Sequence, residues 1–169
     1  IIKMNIFVLN EDPIKSAQQM VDKHVVKMPV ESLQMISTCL HLRGFNAPYR
    51  MSFAYHPCTI WARQSSSNME WLVEHTYALC KEYTIRYGKT HQVERTMKMY
   101  HDTIQELIDY LPDEGLTPFA QAMPDMYKSD NACEAYQKYY LGEKWYFAEW
   151  KTQRPDWWPE DHIMKMRGK

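Results

Sequence analysis

Hydrophobic residues recur at intervals of three and four over most of the chain, which is the period of an amphipathic helix. The first such stripe follows Asp12-Pro13, a capping side chain with proline at the first helical position. It continues past Pro29 to Arg43-Gly44, which is a typical helix stop. This pattern predicts one long helix kinked at Pro29, or two helices stacked end to end.

Three later stripes predict three further helices. They run from a Ser65-Ser66-Ser67 cap to Gly88, from Thr90 to Pro112, and from Asp130 through Trp150. Residues 5–9 form a short apolar run, which fits one strand or an extended arm.

The remaining stretches predict irregular structure. Residues 45–66 contain two prolines and residues 112–129 contain three, and the tail from Gln153 has Trp157-Trp158 between Pro155 and Pro159. We therefore expect an all-α fold that forms one compact domain over residues 1–169. It would have a long kinked first helix and an irregular aromatic C-terminal tail.

Composition and charge narrow the class of protein. An apolar fraction of 45%, with 5 Gly against 9 Pro in 169 residues, excludes a disordered or collagen-like chain. No stretch approaches the length of a membrane span, and four cysteines without CxxC spacing favour reduced thiols in the cytoplasm. The net charge of −1 argues against strong unspecific attraction to a polyanion. However, residues 1–63 carry +3 and residues 102–130 carry −6, which suits a protein that meets an anion with one side only.

The densest polar cluster on an apolar stripe lies in residues 22–31. His24 and Glu31 are seven residues apart, so two helical turns place them on nearly the same face. Pro29 cannot donate to the carbonyl of Val25, which leaves that carbonyl free for a substrate or water. A glutamate in such a setting would have a raised pKa, as a general acid/base requires.

Two lysines one turn apart, Lys23 and Lys27, could hold phosphate oxygens beside that pair. A purely structural interpretation is also open: His24 would be hydrogen-bonded in the core, and Glu31 would pair with Lys27 across one turn.

Asp22, His24 and Glu31 on a first long helix, after the arm at residues 5–9, resemble the phage pyrimidine-dimer DNA glycosylases of the endonuclease V type. Residues 153–157, Gln-Arg-Pro-Asp-Trp, resemble the start of the aromatic tail in that family. The whole chain, including residues 117–125, also resembles small uncharacterised phage proteins. A phage-encoded chain would act in the cytoplasm of the host cell.

The resemblance implies an enzyme that acts on a pyrimidine base flipped out of double-stranded DNA. Glu31 would be the general acid/base and His24 would orient it or the substrate, while the chain's α-amine would attack the sugar and form a Schiff base. Lys23, Lys27 and Arg154 would bind phosphates, and Asn5, Trp157 and Trp158 would form the walls of the base pocket. The reaction would require no metal and no cofactor.

Two departures from the family keep a second chemistry open. The family has basic residues beside its glutamate, where this chain has Val30 and Gln34. The chain begins Ile-Ile-Lys-Met, and if translation starts at Met4, the following Asn5 does not favour removal of the methionine. This combination suits a DNA base-modifying transferase that places an external small-molecule amine, such as an amino acid, on an activated 5-hydroxymethyl pyrimidine. A non-catalytic helical interaction module is the third possibility.

Weaker candidates for chemistry lie elsewhere in the chain. His101-Asp102, with His75 and Asp130, faintly resembles the helical HD phosphohydrolases that hold a divalent metal. Cys39, His41, His56 and Cys58 are zinc-type ligands at unsuitable spacing. We therefore expect no metal and no cysteine nucleophile.

Overall fold

The computed structural model describes residues 4–169 and confirms an all-α fold. The helices are α1 (Pro13–Gln19), α2 (Asp22–Leu42), α3 (Pro57–Gln64), α4 (Ser66–Tyr87), α5 (Gln92–Met99), α6 (His101–Tyr110), α7 (Ala132–Glu143) and α8 (His162–Arg167). Short 3₁₀ turns lie at Asp125–Tyr127 and Trp145–Phe147, and residues 4–169 contain no strand. None of the helices in this range is long and apolar enough to cross a membrane.

The first helical stripe forms two helices, and the chain divides at Met20-Val21 rather than at Pro29. The Asp12 side chain caps α1 as expected, and both junction residues are extended, with ψ of 143° and 154°. α2 then runs unbroken through Pro29. A tertiary contact helps to hold the junction, because the N–H of Asp22 donates to the carbonyl of Glu149 at 2.8 Å.

The other predicted helices are present with shifted ends. α4 has the expected Ser65 cap, and it ends at Gly88 in the left-handed region (φ 70°), where glycine is favoured. The stripe from Thr90 to Pro112 is divided at Tyr100 into α5 and α6. α7 is capped by Asn131 and ends at Glu143, seven residues before the expected end.

The core is built around α2 and α4, which pack against each other, with α1, α3, α5 and α6 around them. Residues 4–9 form an arm without regular secondary structure, with Phe7 in the left-handed region (φ 58°), and the arm is buried along its whole length. Leu9 is fully enclosed, and its N–H donates to the Ser16 hydroxyl at 3.1 Å. The arm is therefore an integral part of the core, and it lies against the same helix that carries His24 and Glu31.

A buried arginine near the end of α4 holds the α1–α2 junction. Arg86 pairs with Asp22 at 3.1 Å and Glu82 at 3.0 Å, and it also donates to the carbonyls of Met20 and Gln18. Its side chain is completely buried. Asp22, one of the three α2 residues on which the family resemblance rests, thus has a structural partner.

We expect Arg86→Ala to lower the free energy of unfolding by about 3–5 kcal/mol, because it leaves two buried carboxylates without their cation. Urea unfolding followed by circular dichroism measures this loss. The exposed Arg95 on α5 gives a matched control, and Arg95→Ala should change stability by less than about 0.5 kcal/mol. An equally small change in Arg86→Ala would contradict the structural role.

Candidate active site

A cavity of about 470 Å³ opens between the N-terminal arm and α2. The start of α3, the loop before α7 and the end of α7 complete its walls. The lining residues are Met4, Asn5, Phe7, His24, Lys27, Glu31, His56, Pro57, Gln121, Ala122, Met123, Pro124, Lys128, Tyr139 and Lys144. The volume and the mixture of apolar walls with a few polar groups are typical of a small-molecule or base-binding site.

Glu31 contributes a carboxylate to this cavity, and each of its two oxygens has a partner in the protein. One oxygen, Oε1, accepts the backbone N–H of Asn5 at 3.2 Å, and Oε2 lies 3.3 Å from Lys27 Nζ. Burial raises the pKa of Glu31, while Lys27, the Asn5 N–H and Lys144 oppose the rise. A carboxyl with a raised pKa takes up and releases a proton closer to neutral pH than an exposed one.

His24 lies on the same face of α2, as the seven-residue spacing predicts. Its Nδ1 is 2.6 Å from the hydroxyl of Tyr140, and its ring stacks on Phe7 with centroids 4.2 Å apart. Burial, and then the charges of Lys144 and Lys27, lower the pKa of His24 to about 3. The imidazole is therefore neutral at neutral pH, which favours a positioning role over proton transfer.

Asn5 lines the cavity, but the protein already binds its side chain. Asn5 Nδ2 donates to the carbonyl of Ala122 at 2.7 Å, and Oδ1 accepts the N–H groups of Ile6 and Phe7. The hydroxyl of Tyr136 lies 2.8 Å from the same Oδ1. The group of Asn5 that faces Glu31 is consequently its backbone nitrogen.

Among residues 4–169, three lysines line the cavity, and one of them, Lys27, is a phosphate-binding residue predicted from the sequence. Lys27 is on α2, whereas Lys128 and Lys144 come from the chain on either side of α7. Lys144 lies over the rings of Phe7 and Tyr139, 5.9 and 5.1 Å from their centroids. Lys23 is outside this lining, and its Nζ lies 5.2 Å from the centre of the Phe147 ring.

The aromatic tail is placed elsewhere. Trp158 is buried against Trp150 and His162, and Trp157 donates its indole N–H to Gln19 at 3.0 Å. Arg154 is exposed on the face formed by the tail and α1. None of the three residues expected from this tail lines the cavity, and contacts with α1 and α8 hold Trp157 and Trp158 away from it.

The weaker candidates do not assemble into a site. His101 and Asp102 are exposed, and residues 4–169 contain no group of three His, Cys, Asp or Glu arranged to hold a metal. Burial raises the pKa of the Cys39 and Cys58 thiols to about 12, so neither is a thiolate at neutral pH.

The sequence of the chain matches a known protein family. A family model described as pyrimidine dimer DNA glycosylase matches residues 4–95, slightly more than half of the chain. The chain belongs to this family. No curated protein and no solved structure gives a significant match.

Membership in the family implies DNA glycosylase activity in general, and with it a DNA substrate. The matched region includes the arm, His24, Lys27 and Glu31. The wall from Gln121 to Lys144 lies outside it.

Proposed function

We propose that the protein excises a damaged pyrimidine base from double-stranded DNA, with Glu31 as the general acid/base. The observation that carries this proposal is the contact of 3.2 Å between the Asn5 nitrogen and Glu31 Oε1 at the wall of a base-sized cavity. A nitrogen and a carboxyl held together beside an open space are the two groups that a glycosylase/lyase of this type requires.

The chemistry has a defined order if Asn5 is the first residue of the active chain. Its α-amine attacks C1′ of the sugar, the bond from C1′ to the base breaks, and the base leaves with the electron pair. Glu31 takes a proton from the attacking nitrogen and passes a proton to O4′ of the sugar. The C1′–O4′ bond then breaks, and the nitrogen lone pair forms the C1′=N bond of the Schiff base. In a chain that carries residues 1–4, this nitrogen is an amide and cannot take part in that step.

The cavity can also receive the substrate that this proposal requires, a base flipped out of the duplex. A base inside a duplex cannot reach Glu31, so the target nucleotide must be flipped out of the stack. Phe7, Tyr139 and Met123 supply apolar and aromatic surface at the lining, and Lys27, Lys128 and Lys144 supply positive charge for the flanking phosphates. Arg154 and Lys23, which lie outside the cavity, could contact phosphates further along the duplex.

A base-modifying transferase is the second candidate. It is favoured if the active chain carries residues 1–4, because the Asn5 nitrogen is then an amide, and a cavity that holds Glu31 without an α-amine is open to an external amine. Such an enzyme would use Glu31 to deprotonate the amine before it attacks an activated 5-hydroxymethyl pyrimidine.

Mass spectrometry of nucleosides separates the two functions. Duplexes that carry ultraviolet-induced dimers, and matched duplexes that carry an activated 5-hydroxymethyl pyrimidine with an amino acid added, are incubated with the protein. Strand cleavage or base release at dimers supports the glycosylase, and a nucleoside of increased mass supports the transferase. A protein that neither binds nor alters DNA at low salt would instead be a helical interaction module.

We expect Lys27→Gln to weaken binding to DNA, and to reduce the slope of log K against log salt concentration by about 0.9, the value for one phosphate contact. Titrations of a labelled duplex at several salt concentrations measure both quantities. Lys81 on α4 is exposed and absent from the cavity lining, so Lys81→Gln is the matched control. Equal slopes for wild type and Lys27→Gln would remove Lys27 from the phosphate contacts.

A further inference from the structure

The cavity wall formed by residues 121–124 lies outside the region matched by the family, yet it contacts the Asn5–Glu31 pair. Asn5 Nδ2 donates to the carbonyl of Ala122, 117 positions along the chain, at 2.7 Å. This contact joins the arm directly to the loop between α6 and α7.

Tyr136 on α7 ties the same two segments together. Its hydroxyl lies 2.8 Å from Asn5 Oδ1 and 3.0 Å from the carbonyl of Ala120, and it accepts the N–H of Ala122 at 3.1 Å. The hydroxyl has one proton, so it donates either to Asn5 or to Ala120 while it accepts from Ala122. Tyr136 is fully buried, and burial raises its pKa well above the ordinary value, which keeps the hydroxyl protonated.

Hydrogen bonds to residues outside the arm also hold the loop in place. Gln121 donates to the carbonyl of Ser129 at 2.7 Å and accepts the N–H of Ser129 at 3.1 Å. Thr117 is fixed by Asn68, which donates to its hydroxyl and accepts its N–H at 2.7 and 2.9 Å. The loop is thus a fixed support that can set the position of the arm.

We propose that Tyr136 and the loop at residues 117–125 are positioning elements that hold the Asn5 nitrogen against the Glu31 carboxyl. This inference rests on the proposed function for its catalytic meaning, but the contact itself can be tested without DNA. The loop that completes the cavity would accordingly be as necessary for the chemistry as the matched region.

The test uses the titration of Glu31. The N–H of Asn5 stabilises the ionised carboxyl, so a looser arm should raise the pKa of Glu31 further. The charged and titratable groups around this carboxyl are Lys27 and His24 on α2, His56 and Cys58 at the start of α3, and Lys128, Tyr139 and Lys144 from the α7 side. None of them is changed in the variants below.

We expect Tyr136→Phe to raise the pKa of Glu31, measured by carbon-13 NMR of the labelled carboxyl, and to speed hydrogen exchange at the Asn5 amide. Asn5→Ala, which leaves Tyr136 in place, should also raise the pKa of Glu31 and speed hydrogen exchange at the amide of residue 5. If Tyr136→Phe does not fold, Asn5→Ala tests the proposal in its place. Thr76→Val is the matched control, because it removes a buried hydroxyl that donates to the carbonyl of Leu72 at 2.7 Å within α4. Thr76→Val should leave the Glu31 pKa and the exchange rate of the Asn5 amide at their wild-type values.

On dimer-containing DNA, in a chain cut so that Asn5 comes first, Tyr136→Phe should lower kcat about tenfold with little change in KM, since misplacement of reacting groups slows the chemical step. Its pH–rate profile should shift to higher pH on the limb governed by Glu31. An unchanged Glu31 pKa and unchanged Asn5 exchange in both variants would overturn the inference. An unsubstituted chain that begins at Asn5 and has no activity on such DNA would refute the proposed function, and the NMR readings on the longer chain would still decide whether the loop positions the arm.

Discussion

Replacing Glu31 by glutamine should slow base excision by about a hundredfold or more, the usual effect of removing a general acid/base. The fold should survive, because the amide oxygen of glutamine can still accept the N–H of Asn5. Binding to DNA should survive as well, since the lysines that face the cavity are retained. Single-turnover kinetics on a duplex with one thymine dimer measure the chemical step directly.

Glu106→Gln provides the matched control, since Glu106 is exposed on α6 and absent from the cavity lining. It should excise the base at the wild-type rate. Excision by Glu31→Gln at that rate would end the assignment of Glu31 as the acid/base.

The same substitution should also change how stability depends on pH. The pKa of Glu31 is raised above its ordinary value of 4.5 in the folded protein, so folding favours its protonated form. That contribution is present below the unfolded pKa and is lost as the pH rises through the folded pKa. At neutral pH, Glu31→Gln should therefore be at least as stable as wild type in urea unfolding.

Borohydride trapping on DNA should depend entirely on the first residue of the chain. We expect the chain that carries residues 1–4 to trap weakly or not at all, because its Asn5 nitrogen is an amide. A chain cut by a protease so that Asn5 comes first should form a covalent complex with dimer-containing DNA. Its α-amine would lie at the Glu31 carboxyl and could form the reducible Schiff base. A denaturing gel with labelled DNA detects the complex.

Two controls make this result specific to the amine and to Glu31. Reductive methylation of the cut chain under conditions selective for the α-amine should abolish trapping, and so should Glu31→Gln in the cut chain. Efficient trapping by the longer chain would show that another amine is the nucleophile. Excision without trapping by either chain would favour an external nucleophile.

The sequence was sufficient to predict the part of the site that lies on one helix. His24, Lys27 and Glu31 share a face of α2, so their spacing alone brings them together. The hydrogen bond between His24 and Tyr140 and the ion pair between Lys27 and Glu31 also match the structural interpretation. The two interpretations are compatible here, because the cavity opens beside these contacts.

The remaining walls of the site could not be predicted, because they depend on contacts between distant segments. Lys144, Tyr136 and the loop at residues 121–124 reach the arm across more than a hundred positions, and periodicity carries no information about such pairs. The division at Met20-Val21 has the same origin, since neither residue is a helix breaker. There, Arg86 binds the carbonyl of Met20, and Glu149 binds the N–H of Asp22.

The separation of the cavity walls along the chain has a consequence for synthesis on the ribosome. The arm at residues 4–9 leaves the exit tunnel early, but its partners in the loop and α7 are made more than a hundred residues later. Until Lys144 has emerged, the nascent protein has Glu31 without an enclosed cavity, and its apolar arm lacks part of its cover. We therefore expect catalytic competence to arise late in translation, when the last third of the polypeptide folds onto the first.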